Sequence, residues 1–218
     1  MSSFFAPFYG NIKSLAVNPQ DNSLWVLSEN PEGSAIAPHR ISVVDLLEQK
    51  NPNESVKPHP IPEIAKQALG HSTGLYIATE TSIFRMSTSG EPKKCFSVDP
   101  AFGLQGIIDF RDGQEKYSPK NPKRSEIEKR SHHKLLLIGA KKALVVSIED
   151  DGFSVLTELD PCAGVSATIT AWAAESIFED VTTHHCAFGL SNGGLVVFFT
   201  DDDSVNFKKA EVYDAPGV

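Results

Sequence analysis

The feature that most constrains this chain is a unit that recurs about four times at a spacing of roughly 50 residues. Each copy has a strand-like run, a turn, a second apolar run closing in small residues, and a third strand. The clearest copy spans residues 11–46, where IKSLAVNP leads to SLWVLSE and then to RISVVDL. The second strands begin near Leu24, Gly74, Leu135 and Cys186, at intervals of 50, 61 and 51 residues. The long interval contains a charged insertion, so the period survives its removal. Helical spacing is not sustained over ten or more residues anywhere in the chain, and the pattern predicts an all-β fold.

In the first copy, residues 11–17 form a strand, residues 18–22 (NPQDN) a turn by composition, and residues 24–28 the next strand. A loop with Pro31, Gly33 and Pro38 precedes a third strand at residues 40–46. Residues 48–62 carry Pro52, Pro58, Pro60 and Pro62. Proline cannot donate to a β ladder, so a loop or linker is expected there. Residues 64–69 are expected to hold one helical turn.

The second copy pairs residues 74–79 and 82–86 around Glu80 and Thr81, with an outer strand at 94–98. The third has strands at 104–110, 134–139, 143–148 and 154–159, and the fourth at 168–173, 186–190, 195–199 and 207–213. Asn192-Gly193 between two apolar runs is the strongest local hairpin signal in the chain.

These residues resemble the WD40-type β-propeller superfamily. The resemblance is carried by Ile12-Lys13-Ser14-Leu15-Ala16-Val17-Asn18-Pro19, Leu24-Trp25-Val26-Leu27-Ser28, Ile41-Ser42-Val43-Val44-Asp45 and residues 187–198 (AFGLSNGGLVVF). No Trp-Asp dipeptide occurs, and the single Gly-His pair, Gly70-His71, lies too close to the following strands for its usual place before a blade. The resemblance spans most of the chain and implies a β-propeller-like fold with about four blades of antiparallel strands, a single segment over residues 1–218. Members of the superfamily close with about six to eight blades, although about four can close in principle. A partial or open propeller is therefore expected, and its exposed blade faces and strand edges invite association.

Bulk properties narrow the partners. The formal net charge of −8 argues against a general nucleic-acid or anionic-membrane binder. No apolar run reaches the roughly 20 residues that span a bilayer. The N-terminal MSSFFAPFYGN has no basic n-region or cleavage pattern, so no secretory signal is expected. Cys95, Cys162 and Cys186 are odd in number and widely spaced, which reads as buried thiols in a reducing compartment, cytoplasmic or nuclear.

Residues 111–134 break this pattern. Eight basic residues (Arg111, Lys116, Lys120, Lys123, Arg124, Lys129, Arg130 and Lys134) stand against Asp112, Glu115, Glu126 and Glu128, a local charge of +4 in an acidic protein. The stretch is expected to be a solvated, mobile insertion within the third blade. Lys120, Lys123, Arg124, Lys129 and Arg130 are its candidate partner-contact residues. Ser118-Pro119 is a candidate proline-directed phosphorylation site, where a phosphate would face Lys116, Lys120 and Lys123.

Chemistry has little support in the motifs. His132-His133 and His184-His185-Cys186 suggest metal, but neighbouring strand residues point to opposite faces, so loop or strand-edge histidines are expected. Asp201-Asp202-Asp203 lacks the alternating ligands and turn glycine of a calcium loop and reads as a solvated turn. There is no GxSxG, GxxxxGK[ST] or GxGxxG motif, and no catalytic, cofactor or metal residue is assigned. Trp25 and Trp172 read as core residues.

The expectation is a non-catalytic protein–protein interaction scaffold within a larger intracellular complex, binding through blade loops and exposed strand edges to protein partners that supply missing blades. The competing classes are a propeller-fold small-molecule hydrolase and nucleic-acid binding through the basic insertion.

Overall fold

The computed structural model describes residues 11–29, 36–42, 56–109, 134–150, 152–178, 182–201 and 205–210. The chain divides into two compact units, one formed by Met1–Pro100 with Leu104–Gly106 and the other by Ala101–Gly103 with Ile107–Val218. The fold is all-β and propeller-like, built of four antiparallel sheets of four strands each in which chain neighbours are sheet neighbours. A three-residue 3-10 turn, Pro100–Phe102, is the helical element among the described residues.

The first sheet of unit 1 comprises β1 (Ile12–Asn18), β2 (Ser23–Glu29), β3 (Ile36–Ile41) and β4 (Val56–Pro58). The turn between β1 and β2 follows from its composition. The Asn18 side-chain oxygen accepts the Gln20 N–H at 3.1 Å, Asp21 accepts the Ser23 N–H at 2.9 Å, and Asn22 takes a φ of 54°. The third strand lies earlier than the predicted residues 40–46. It begins at Ile36 and includes Pro38, which sits opposite Leu27 and uses its carbonyl to accept the His59 N–H at 2.9 Å. Residues 43–46 lie outside the described residues. The proline-rich stretch expected to be a loop contains β4. This is the outermost strand of its sheet, where the donor missing from Pro58 costs no ladder bond.

The second sheet of unit 1 comprises β5 (Gln67–His71), β6 (Gly74–Ala78), β7 (Ser82–Met86) and β8 (Pro92–Ser97). The helical turn predicted at residues 64–69 is instead the approach to β5 and its first half. Ala68 and Leu69 pair with Ile77 and Tyr76, and this cross-strand pairing outweighs the local helix preference of Gln-Ala-Leu. Trp25, Leu27, Ala65, Ala68, Leu75, Ile77 and Met86 form the core between the two sheets. Burying each large side chain contributes about 1.5–3 kcal/mol.

Unit 2 is entered by β9 (Gly106–Asp109). Its first sheet continues with β10 (Lys134–Ile138), β11 (Ala143–Ile148) and β12 (Phe153–Leu159). Its second is β13 (Ile169–Phe178), β14 (Thr182–Leu190), β15 (Leu195–Phe199) and β16 (Lys208–Lys209). β13 and β14 are longer than predicted because the ladder runs from Ile169↔Leu190 to Phe178↔Thr182, past the polar Thr-Thr-His-His segment. The Asn192-Gly193 hairpin forms as expected. Gly193 has a φ of 84°, and the Leu190 N–H reaches the Gly194 carbonyl at 2.8 Å. The core joins Leu136, Ile138 and Val145 of one sheet to Ile169, Cys186, Phe188, Val196 and Phe198 of the other. The rings of Phe188 and Phe198 meet edge to face at 5.9 Å.

Candidate interaction surface

Alternation along β1 places Leu15 and Val17 on one side of its sheet, opposite Val26 and Leu24 of β2. A one-residue bulge between Ile12 and Ser14 changes the parity. Ile12 then pairs with Ser28, on the same side as Val26, so Ile12, Leu15 and Val17 share a face. They are 51%, 58% and 54% exposed, an apolar stripe of branched side chains on an edge strand.

The stripe is held from both sides. Lys13 pairs with Glu29 at 2.7 Å, and the Asn11 amide donates to the same carboxylate at 2.9 Å; together these hold the Glu29 carboxyl below its usual range. On the opposite face of β1, Ser14 Oγ accepts the Ala68 N–H of β5 at 3.0 Å. A Cβ on Gly70 of β5 would stand 1.8 Å from the Val17 carbonyl oxygen, so glycine is what lets β5 approach β1.

A second exposed apolar surface lies on unit 2. Trp172, Phe188 and Val196 face the core, and the residues between them face away. The outward side carries Ala171, Ala173 and Glu175 of β13, His185, Ala187 and Gly189 of β14, and Leu195, Val197 and Phe199 of β15. Ala171, Ala173, Glu175 and Leu195 are exposed, Leu195 by 39%.

Polar clusters support these sheets. Asp21 accepts the Ser23 hydroxyl at 2.6 Å and Arg40 Nη2 at 2.7 Å, while Trp25 Nε1 donates to Ser23 Oγ at 2.9 Å. The Glu63 carboxylate accepts hydroxyls from Thr79, Ser82 and Thr81 and the Lys94 ammonium at 2.9 Å. Burial pushes the Glu63 carboxyl up, but these donors outweigh it and hold it down to about 2. His184 corrects the expectation of a loop or strand-edge histidine. It is buried in β14, between β13 and β15, with Ser176 Oγ 2.8 Å from Nδ1 and Lys134 Nζ 3.3 Å from Nε2. His185 points to the opposite face, as strand alternation requires.

Among the described residues no three His, Cys, Asp or Glu side chains converge as metal ligands, and no helix is long and apolar enough to cross a membrane. Cys162 and Cys186 are buried, Cys95 is half-buried, and all three are free thiols. Trp25 is fully buried and Trp172 packs at the edge of the unit 2 core. Asp201 lies at a bend after β15 and pairs with Lys208, while Asp202 and Asp203 lie outside the described residues. The predicted contact residues Lys120, Lys123, Arg124, Lys129 and Arg130, the predicted phosphosite Ser118, and His132-His133 all lie outside the described residues.

Sequence reasoning passed over Ile12, Leu15 and Val17 as ordinary strand residues. The available signal was the small side chains between them, Ser14 and Ala16, which mark the opposite face as the tightly packed one. The Ala-Trp-Ala-Ala-Glu run of β13 carries a similar signal of a flat outward face.

No family model matches the sequence, and no curated protein matches it. Solved structures match it across nearly its whole length. A periplasmic gluconolactonase of Pseudomonas aeruginosa, PpgL, aligns at a TM-score of 0.59 and 12% identity, over 94% of this chain and 57% of that one. The N-terminal domain of Nup159 aligns at 0.54 and 9% identity, over 97% and 46%. The WD40 domain of SCAP from fission yeast aligns at 0.53 and 11% identity, over 95% and 43%. The chain thus spans about half the length of the solved structures it matches. Identities this low carry the fold alone, and that fold is the β-propeller.

Proposed function

We propose that this chain is a non-catalytic, WD40-like interaction module that works in the cytoplasm or nucleus within a larger assembly, where a protein partner packs on the exposed apolar stripe of its edge strand β1. The observation that carries this reading is the β1 stripe, with three branched aliphatic side chains more than half exposed on one face. A sheet face of that kind is covered in stable propellers by the next blade, because each repeat buries its apolar side only by stacking on a neighbour. The unpaired thiols are consistent with a reducing compartment.

The test is affinity capture of the tagged chain from cells, compared with its Leu15→Asp variant. The reading expects a defined protein partner with the native chain and its loss with the variant, while the variant keeps the native unfolding temperature. An unchanged set of partners would contradict it.

Lactone hydrolysis is the competing reading, raised by the likeness to PpgL. Turnover of gluconolactone by the purified chain above the buffer rate would replace the non-catalytic reading.

A further inference from the structure

We propose that the free edge of β13 takes up an extended segment of a partner protein as an added strand. That segment carries large apolar side chains beside the alanines of β13 and a lysine or arginine beside Glu175. The site belongs to unit 2 and is separate from the β1 stripe.

The edges of the four sheets are unequal. β4 is three residues long and ends in Pro58, β16 is the pair Lys208-Lys209, and β8 begins Pro92-Lys93-Lys94. β9 has four residues, β5 has five and lies against β1, and β1 and β12 are each broken by a bulge. Shortness, proline, lysine and bulges are the devices that keep a sheet edge from pairing with another chain. β13 has ten residues, no proline and a single charge, Glu175. Its one bulge, at Thr170, leaves Ala171 to Phe178 in unbroken register.

The direction of its backbone groups follows from the neighbouring strand. The Leu190 N–H and the His184 carbonyl bond on the β15 side of β14. Successive residues of a strand turn their N–H and C=O to opposite edges. Gly189, Ala187 and His185 therefore bond toward β13, where they face Ala171, Ala173 and Glu175. Trp172 and Ala174 then turn their N–H and C=O away from β14, and among the described residues no strand lies along that edge. Trp172 and Ala174 are half-buried, while Ala171, Ala173 and Glu175 are exposed.

An extended chain supplies the alternating donors and acceptors that this edge needs. Its alternate side chains would stand about 5 Å from Ala171, Ala173 and Glu175. The two methyl groups leave room for branched or aromatic residues, and the one carboxylate favours a cation at the third position.

Titrating the full chain with the acetylated peptide Thr-Val-Thr-Val-Thr-Lys-Thr-Val-Thr tests this. Peptide at up to about 1 mM reads a Kd of about 100 µM. The amide NMR signals of Trp172 and Ala174 should shift, and those of β12 should not. Glutamate in place of the peptide lysine should weaken binding about fivefold, and Glu175→Lys should reverse that preference. N-methyl groups on the peptide amides that face β13 should abolish binding, while methyl groups on the intervening amides should leave it within about threefold. Ala174→Pro removes an edge N–H where proline is tolerated, and it should abolish binding at an unchanged unfolding temperature.

Unshifted Trp172 and Ala174 signals would overturn the proposal. So would equal binding of the two methylated peptides, or a charge preference that survives Glu175→Lys. Should Ala174→Pro unfold the chain, the methylated peptides decide the question on the native protein.

Discussion

Glu63 illustrates how single side chains fasten these sheets. Its carboxylate gathers hydroxyls from the β6–β7 turn (Thr79, Thr81 and Ser82) and Lys94 of β8, tying the segment ahead of β5 to the far edge of the same sheet. Its folded pKa of about 2 lies below the ordinary 4.5, so the folded state favours the ionised form. The resulting stabilisation is complete above pH 4.5 and is lost as pH falls from there through about 2. After discounting for the partial exposure of the cluster, Glu63→Gln is expected to cost about 2 kcal/mol near neutral pH. It should also flatten the acid limb of a stability profile measured by urea denaturation. A parallel loss of stability at every pH would contradict this account. Cys186 gives a second expectation at this scale. Burial pushes its thiol well up, so it should resist alkylation in the native protein and react on unfolding. Neither role is legible in the sequence, where Glu63 follows a proline and Cys186 follows two histidines without visible partners. The residues that complete both environments lie elsewhere in the chain.

At the scale of elements, the parts written in local chemistry were the readable ones. Asn192-Gly193 specified its hairpin because only a residue tolerant of positive φ fits there, and β11 and β15 matched their expected bounds. Gly193→Val is expected to cost about 1–3 kcal/mol, read as a lowered urea midpoint. Elements fixed by tertiary pairing were not readable. β5 has a sequence suited to a helix and is a strand because β6 and β1 pack against it, while β4 survives its proline only because it lies at an edge. Gly70→Ala tests the β1–β5 approach directly. The added Cβ collides with backbone, so the expected cost is about 2 kcal/mol, with faster hydrogen exchange at β1 amides. Unchanged exchange at β1 would mean that the close approach does not hold the strand.

For the whole molecule, each unit carries its own core; unit 1 leaves the β1 stripe of Ile12, Leu15 and Val17 exposed, and unit 2 leaves Ala171, Ala173 and Leu195 exposed on the outward side of its second sheet. The repeat in the sequence announced the blades and suggested that their faces would seek partners. It did not reveal which faces, for two physical reasons. Alternation tells which residues share a side of a strand, but not whether anything covers that side. The bulge that brings Ile12 into line with Leu15 and Val17 is likewise a property of pairing rather than of composition. Site-specific photo-cross-linking tests the resulting account most directly, with the cross-linker placed at Leu15 in the intact protein in cells and, as a control, at Lys94 on β8. The account predicts a discrete protein adduct from Leu15 that Val17→Asp abolishes, and none from Lys94. Equal labelling from both positions, or an adduct from Leu15 that persists with Val17→Asp, would contradict it.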